Sequence, residues 1–234
     1  MRLLDQQQSS IQVTDDDVIY ILDEVGGIAY LSYDWPVANI VYVTLSDDEL
    51  HIELDRYSPE NVPLLAFVYK NIDSLNIKDK NLEETLDWLR NAQVPDDVKK
   101  AVEKMINMLR EEMKNFNVTI VKVTTDIYMG DILIPLGTST FYYAYITAYD
   151  YVDRRDRAGS DEKYERVKKL VEKIEREMPE IVDSIIYDTS LDIVYNPEIR
   201  DYQELDTYQV YVSFPIASRE LISALRNILN SQLS

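Results

Sequence analysis

The chain has 234 residues, with 43 acidic side chains against 24 basic ones, no cysteine and one histidine. These counts exclude disulfides, thiol catalysis, cysteine metal sites and two-histidine zinc sites. A net charge of −19 repels phosphate backbones, so direct nucleic-acid binding is not expected.

The hydrophobic fraction of 46% and charged fraction of 29% are ordinary for a folded domain, and the length suits one large domain or two small ones. The longest apolar runs fall well short of the roughly 20 residues of a membrane span. No secretory leader is read at the N-terminus, and a cytoplasmic protein away from membranes is expected. Only five glycines are present, which disfavours phosphate-cradling loops, and the habit resembles that of thermophile proteins. The charge is uneven. Residues 1–95 carry 18 acids against 6 bases, whereas 150–180 carry 10 against 9.

In chain order, residues 1–16 are polar and are expected to form a flexible arm. Four Val-, Ile- and Tyr-rich strands are expected at 17–23, 28–34, 39–46 and 49–55, separated by turn residues such as Gly26-Gly27 and Trp35-Pro36. Ser58-Pro59-Glu60 carries a helix-start signature, with Val62, Leu65, Tyr69 and Ile72 as its apolar stripe. A second helix starts at Asn81, paired with Glu84 as a capping box. A third runs from Pro95 to about Phe116, on Val98, Val102, Met105, Leu109 and Met113. Strands follow at 117–125, 127–134 and 138–149. A long helix capped by Ser160 and strands at 184–195 and 206–214 come next, then a closing helix capped by Ser218. This order predicts an α+β fold, with mainly antiparallel sheet and helices on one face, in two successive β-then-α halves. The divisions are 1–16, 17–116 and 117–234.

Few residues stand out chemically. Glu49, His51 and Glu53 share one face of a strand, and imidazole with carboxylates suits a transition-metal ion. One strand alone cannot close a coordination sphere, so a solvated face is the ordinary alternative. Asp188 and Asp192 share a polar strand face with Ser190, opposite Ile185, Tyr187, Leu191, Ile193 and Tyr195. They lie about 13 Å apart by the strand rise, too far to hold one ion together. The run 150–161 lacks the ligand spacing of a calcium loop. Its arginines Arg154, Arg155 and Arg157 are candidates for contact with an anionic or peptide partner. Tyr143 and Tyr145, on an aromatic strand without interleaved bases, suit a protein surface better than nucleic acid.

No catalytic or cofactor signature is present, and no cofactor is expected. The leading expectation is a non-enzymatic interaction or assembly protein whose acidic surface meets a basic protein partner, with homo-oligomerisation open. The alternatives are a nucleic-acid mimic that inhibits a DNA-binding protein, and a metal-dependent hydrolase with carboxylate ligands from several strands.

Overall fold

The structure, a computed structural model, describes residues 12–31, 40–46, 49–55, 63–178 and 185–233. Its elements are α1 (Asp15–Leu31), β1 (Ile40–Ser46), β2 (Glu49–Asp55), β3 (Leu65–Asn81), α2 (Leu82–Asn91), α3 (Asp96–Leu109), β4 (Asn115–Met129), β5 (Ile134–Asp153), α4 (Arg157–Glu177), β6 (Ile185–Asn196), β7 (Asp201–Ile216) and α5 (Arg219–Gln232). The strands form one seven-stranded antiparallel sheet in the order β2-β1-β3-β4-β5-β7-β6. The expected α+β class with an antiparallel sheet is therefore what the chain adopts.

The chain divides into two compact units, and the division falls inside β3, β4 and β5. Unit 1 holds residues 1–72, 123–141 and 217–234; unit 2 holds 73–122 and 142–216.

In unit 1, α1 replaces the strand expected at 17–23 and, as far as Leu31, the one expected at 28–34, whose last three residues lie outside the described residues. Thr14 and Asp17 exchange hydrogen bonds in a box at its start, with Thr14 N donating to Asp17 Oδ2 at 2.7 Å and Asp17 N to Thr14 Oγ1 at 3.3 Å. Asp15, Asp16 and Asp17 complement the positive end of the helix. The buried positions Val18, Ile21, Leu22, Val25 and Ala29 follow helical spacing. β-branched residues and the Gly26-Gly27 pair favour strand and turn locally, and packing of the apolar stripe overrides them. Residues 12–16 of the expected arm are placed. Val13 is buried, and both its backbone groups bond the Asn230 side chain of α5, at 2.8 and 3.0 Å. Arg226 adds an ion pair to Asp15 at 2.7 Å.

The helix expected after Ser58 is also corrected. Ser58, Pro59, Glu60 and Val62 lie outside the described residues, but Leu65, Tyr69 and Ile72 belong to strand β3. Leu65, Ala66 and Phe67 are buried in succession, the mark of a strand covered on both faces, and they pair with Val43, Tyr42 and Val41. Their stripe at 3–4 spacing is a coincidence, because β3 opens with five consecutive apolar residues, Leu65 to Tyr69, that fit either period.

In unit 2, Asn81 caps α2 in the expected capping box, accepting from Glu84 N at 3.0 Å while Glu84 accepts from Asn81 N at 3.3 Å. The third helix forms but ends at Leu109, before Phe116, which enters β4. The strands expected at 117–125 and 127–134 are a single strand, β4, followed by a turn. Asp156, not Ser160, caps α4, accepting from Gly159 N at 3.0 Å. A Cβ at Gly159 would fall 2.2 Å from Asp156 Oδ2, so a larger residue there would push the capping carboxylate aside. One core joins α2, α3 and α4 to alternate residues of β4, β5 and β7, among them Phe116, Val118, Ile146, Ala148, Val210 and Val212. The helices thus cover one sheet face, and Tyr145, Tyr149, Tyr151 and Tyr211 lie on the other.

Candidate functional site

β5 last pairs with β7 at Asp153 opposite Leu205, whereas β6 continues along β7 as far as Asn196 opposite Asp201. Residues 193–196 and 201–204 therefore run on as a two-stranded ribbon, closed by a turn in which Arg200 takes a positive φ of 52°. Ile193 is 65% exposed and Tyr202 69%, and Val194, Tyr195 and Ile199 are about half exposed or more. Leu191 extends this apolar surface back along β6, and Ile186 is exposed farther along it, beyond Asp188. Ile193 and Val194 point to opposite faces, so both sides of the ribbon carry apolar side chains into water.

Several contacts hold the ribbon. Tyr195 and Tyr202 sit opposite each other with their rings edge to face, centroids 5.6 Å apart. Asn196 donates to Gln203 at 2.9 Å, and Gln203 donates to Asp153 at 2.8 Å. Arg154 bonds both the carbonyl and the carboxylate of Glu204, at 3.1 and 3.4 Å. Arg155 grips Asp153, with Nη2 at 2.6 Å from Oδ2. The Arg155 side chain and backbone amide hold the Asp153 carboxyl well below the usual range. Two of the three arginines singled out from sequence are thus engaged in bracing the root of the ribbon. Arg157 opens α4 and is exposed.

β6 is the last strand of the sheet, and among the described residues no strand pairs with its outer edge. Its open face carries Ile186, Asp188, Ser190, Asp192 and Val194; its helix-side face carries Tyr187, Leu191, Ile193 and Tyr195, as the alternation predicts. Asp188 accepts from the Thr189 amide at 2.8 Å, and Asp192 accepts from the Thr207 hydroxyl. Between residues 188 and 206 the chain has six carboxylates and one arginine.

The remaining sequence candidates are dispersed. His51 and Glu53 are exposed on β2, opposite Thr44 and Tyr42; Glu49 lies opposite Ser46, and its side chain is outside the described residues. Among the described residues no three His, Asp or Glu side chains converge in a metal-holding group. Tyr143 is 5% exposed, which takes it off the surface, while Tyr145 is half-buried on the open face.

Unit 2 carries two other polar features. A depression of about 570 Å³ is lined by Leu82, Leu86 and Met113 with Arg90, Arg110 and Lys114. Two of its three cations already hold carboxylates, Arg90 with Asp87 at 2.5 Å and Lys114 with Asp150 at 3.2 Å. Lys163 is buried against Asp150 at 3.0 Å and also donates to the Glu112 carbonyl. That ion pair is satisfied by protein groups and reads as part of the scaffold.

Sequence reasoning passed over Ile193, Val194, Tyr195, Ile199 and Tyr202 as a surface. Ile193, Val194 and Tyr195 read as an ordinary apolar stretch of strand, and nothing local marks a strand as the edge. The available signal was the run of acids around Asn196-Pro197, which is unusual beside so many apolar residues. The chain matches no known family model, no curated protein and no solved structure. No described helix is long and apolar enough to cross a membrane.

Proposed function

We propose that this chain is a non-enzymatic binding or assembly protein that engages a protein partner through the β6–β7 ribbon and the outer edge of β6. The observation that supports this reading is the ribbon itself: two strands continue beyond the last β5 pairing with apolar side chains exposed on both faces. A free-standing two-stranded ribbon is marginal in water. This one is braced at its root by Arg154, Arg155 and Gln203, an arrangement that presents apolar area to something outside the chain. Rings with polar tips at Tyr195 and Tyr202 suit the centre of a protein interface. Among the described residues, neither the nucleic-acid mimic nor the carboxylate hydrolase has a comparable feature in its favour.

A single variant carrying Ile193→Thr, Tyr195→Ser, Ile199→Ser and Tyr202→Ser tests this reading. Proteins that co-purify with the wild type from its native extract, identified by mass spectrometry and reassembled from pure components, are lost with the variant. A strictly monomeric wild-type protein without a partner, or a partner that binds the variant at full affinity, contradicts it.

A further inference from the structure

The outer edge of β6 differs from a generic sticky edge in how its two faces are dressed. On the open face, Asp188 and Asp192 stand four residues apart, flanked by Ile186 and Val194. On the helix-side face, Leu191, Ile193 and Tyr195 follow one another at every second position, all about half exposed or more. A strand laid along this edge would place its own side chains opposite these two rows, because directly facing residues in a sheet share a face. No base lies on β6, and the one arginine of the hairpin, Arg200, sits in its turn.

A second copy of the chain fits this edge poorly. A symmetric antiparallel pairing centred on Ser190 sets Asp188 opposite Asp192 twice, and one centred on Asp192 sets that residue against itself. Centring on Leu191 avoids direct opposition but leaves four carboxylates on one face as diagonal neighbours, roughly 7–8 Å apart. Like charges across a sheet are destabilising, and edge carboxylates are a common guard against self-pairing.

We infer that the outer edge of β6 takes one additional strand from a basic partner segment, with lysine or arginine at positions four apart on one face and aliphatic or aromatic residues on the other. This rests on the reading of the ribbon as a protein-binding element and names the chemistry of its partner. Main-chain hydrogen bonds to the edge supply affinity, and the two side-chain rows select the pattern.

The probe is a fluorescent peptide, Val-Lys-Ile-Thr-Val-Lys-Tyr, followed by anisotropy against the full chain. It binds, and binding weakens in about 0.5 M salt as the charges are screened. It is lost when alternate peptide amides are N-methylated. It also weakens roughly fivefold in the Asp188→Asn, Asp192→Asn double variant, the size of two exposed ion pairs. Asparagine keeps the acceptors for Thr189 and Thr207, so this variant folds normally. Equal binding of a peptide with both lysines replaced by glutamate, or full affinity after N-methylation, overturns the inference. If no peptide binds and the chain instead dimerises through β6, the occupant is a second copy. The basic-strand inference then falls while the ribbon's role in binding stands. If no peptide binds and the ribbon variant also keeps every partner, both fall.

Discussion

Lys163 and Asp150 are each about 5% exposed and meet at 3.0 Å, with the Glu112 carbonyl as a second acceptor for the ammonium. Removing one member strands the other charge out of water, so Lys163→Met should lower stability by about 3–5 kcal/mol. Lys114 also touches Asp150, which favours the lower end of that range. Adding Asp150→Leu should recover most of the loss, and urea midpoints of the two variants measure this. Two phenols form a second contrast. The Tyr69 hydroxyl donates to the Val25 carbonyl at 2.7 Å, and burial pushes its pKa up. The Tyr42 hydroxyl is buried with no hydrogen-bond partner among the described residues. Tyr69→Phe should therefore destabilise by about 1 kcal/mol, while Tyr42→Phe should be neutral or stabilising in the same denaturation assay. Asp153 gives a pH dependence. Its pKa lies below the ordinary 3.8 because the folded chain favours its carboxylate through Arg155. Its contribution to stability is complete above the unfolded value and is lost as pH falls through the lower folded value. The urea midpoint of Asp153→Asn should consequently fall less steeply than that of the wild type below about pH 4.

At the scale of elements, local signals and tertiary context compete, and the outcome differs from one element to the next. The capping box at Asn81 and Glu84 and the Ser218 cap were legible because each is a hydrogen-bonding device contained within four residues. α1 was misread although Thr14, Asp17 and the spacing of Val18, Ile21, Leu22 and Val25 were all present. Its β-branched residues and paired glycines carried the opposite local preference. β3 reads as helix because its first five residues, Leu65 to Tyr69, are all apolar and fit either period. The ribbon belongs to this scale too. Its residues gain little from intramolecular burial, so the quadruple polar variant should lose no more than about 2 kcal/mol of unfolding free energy, the Tyr195–Tyr202 ring pair included, while losing partner binding. A large loss of stability would mean that the ribbon's apolar residues serve the fold.

For the whole molecule, the charge map was legible and its meaning was not. The sequence placed an excess of acids on the late strands, yet only strand order identifies β6 as terminal and turns Asp188 and Asp192 into neighbours of an open edge. Edge position is set by long-range pairing, as at Asp188 with Gln209, and no local pattern encodes it. Arg154 and Arg155, read as exposed partner contacts, are exposed, and each also pairs with a carboxylate near the root of the ribbon. The central claim is that the β6 edge receives a strand. Amide hydrogen exchange, read residue by residue with and without the Val-Lys-Ile-Thr-Val-Lys-Tyr peptide, tests it most directly. The account predicts that alternate amides between Thr189 and Tyr195 slow by roughly tenfold or more while those of α2 and α3 are unchanged. Unchanged exchange along β6 at saturating peptide, or protection confined to the depression beside α2, would contradict it.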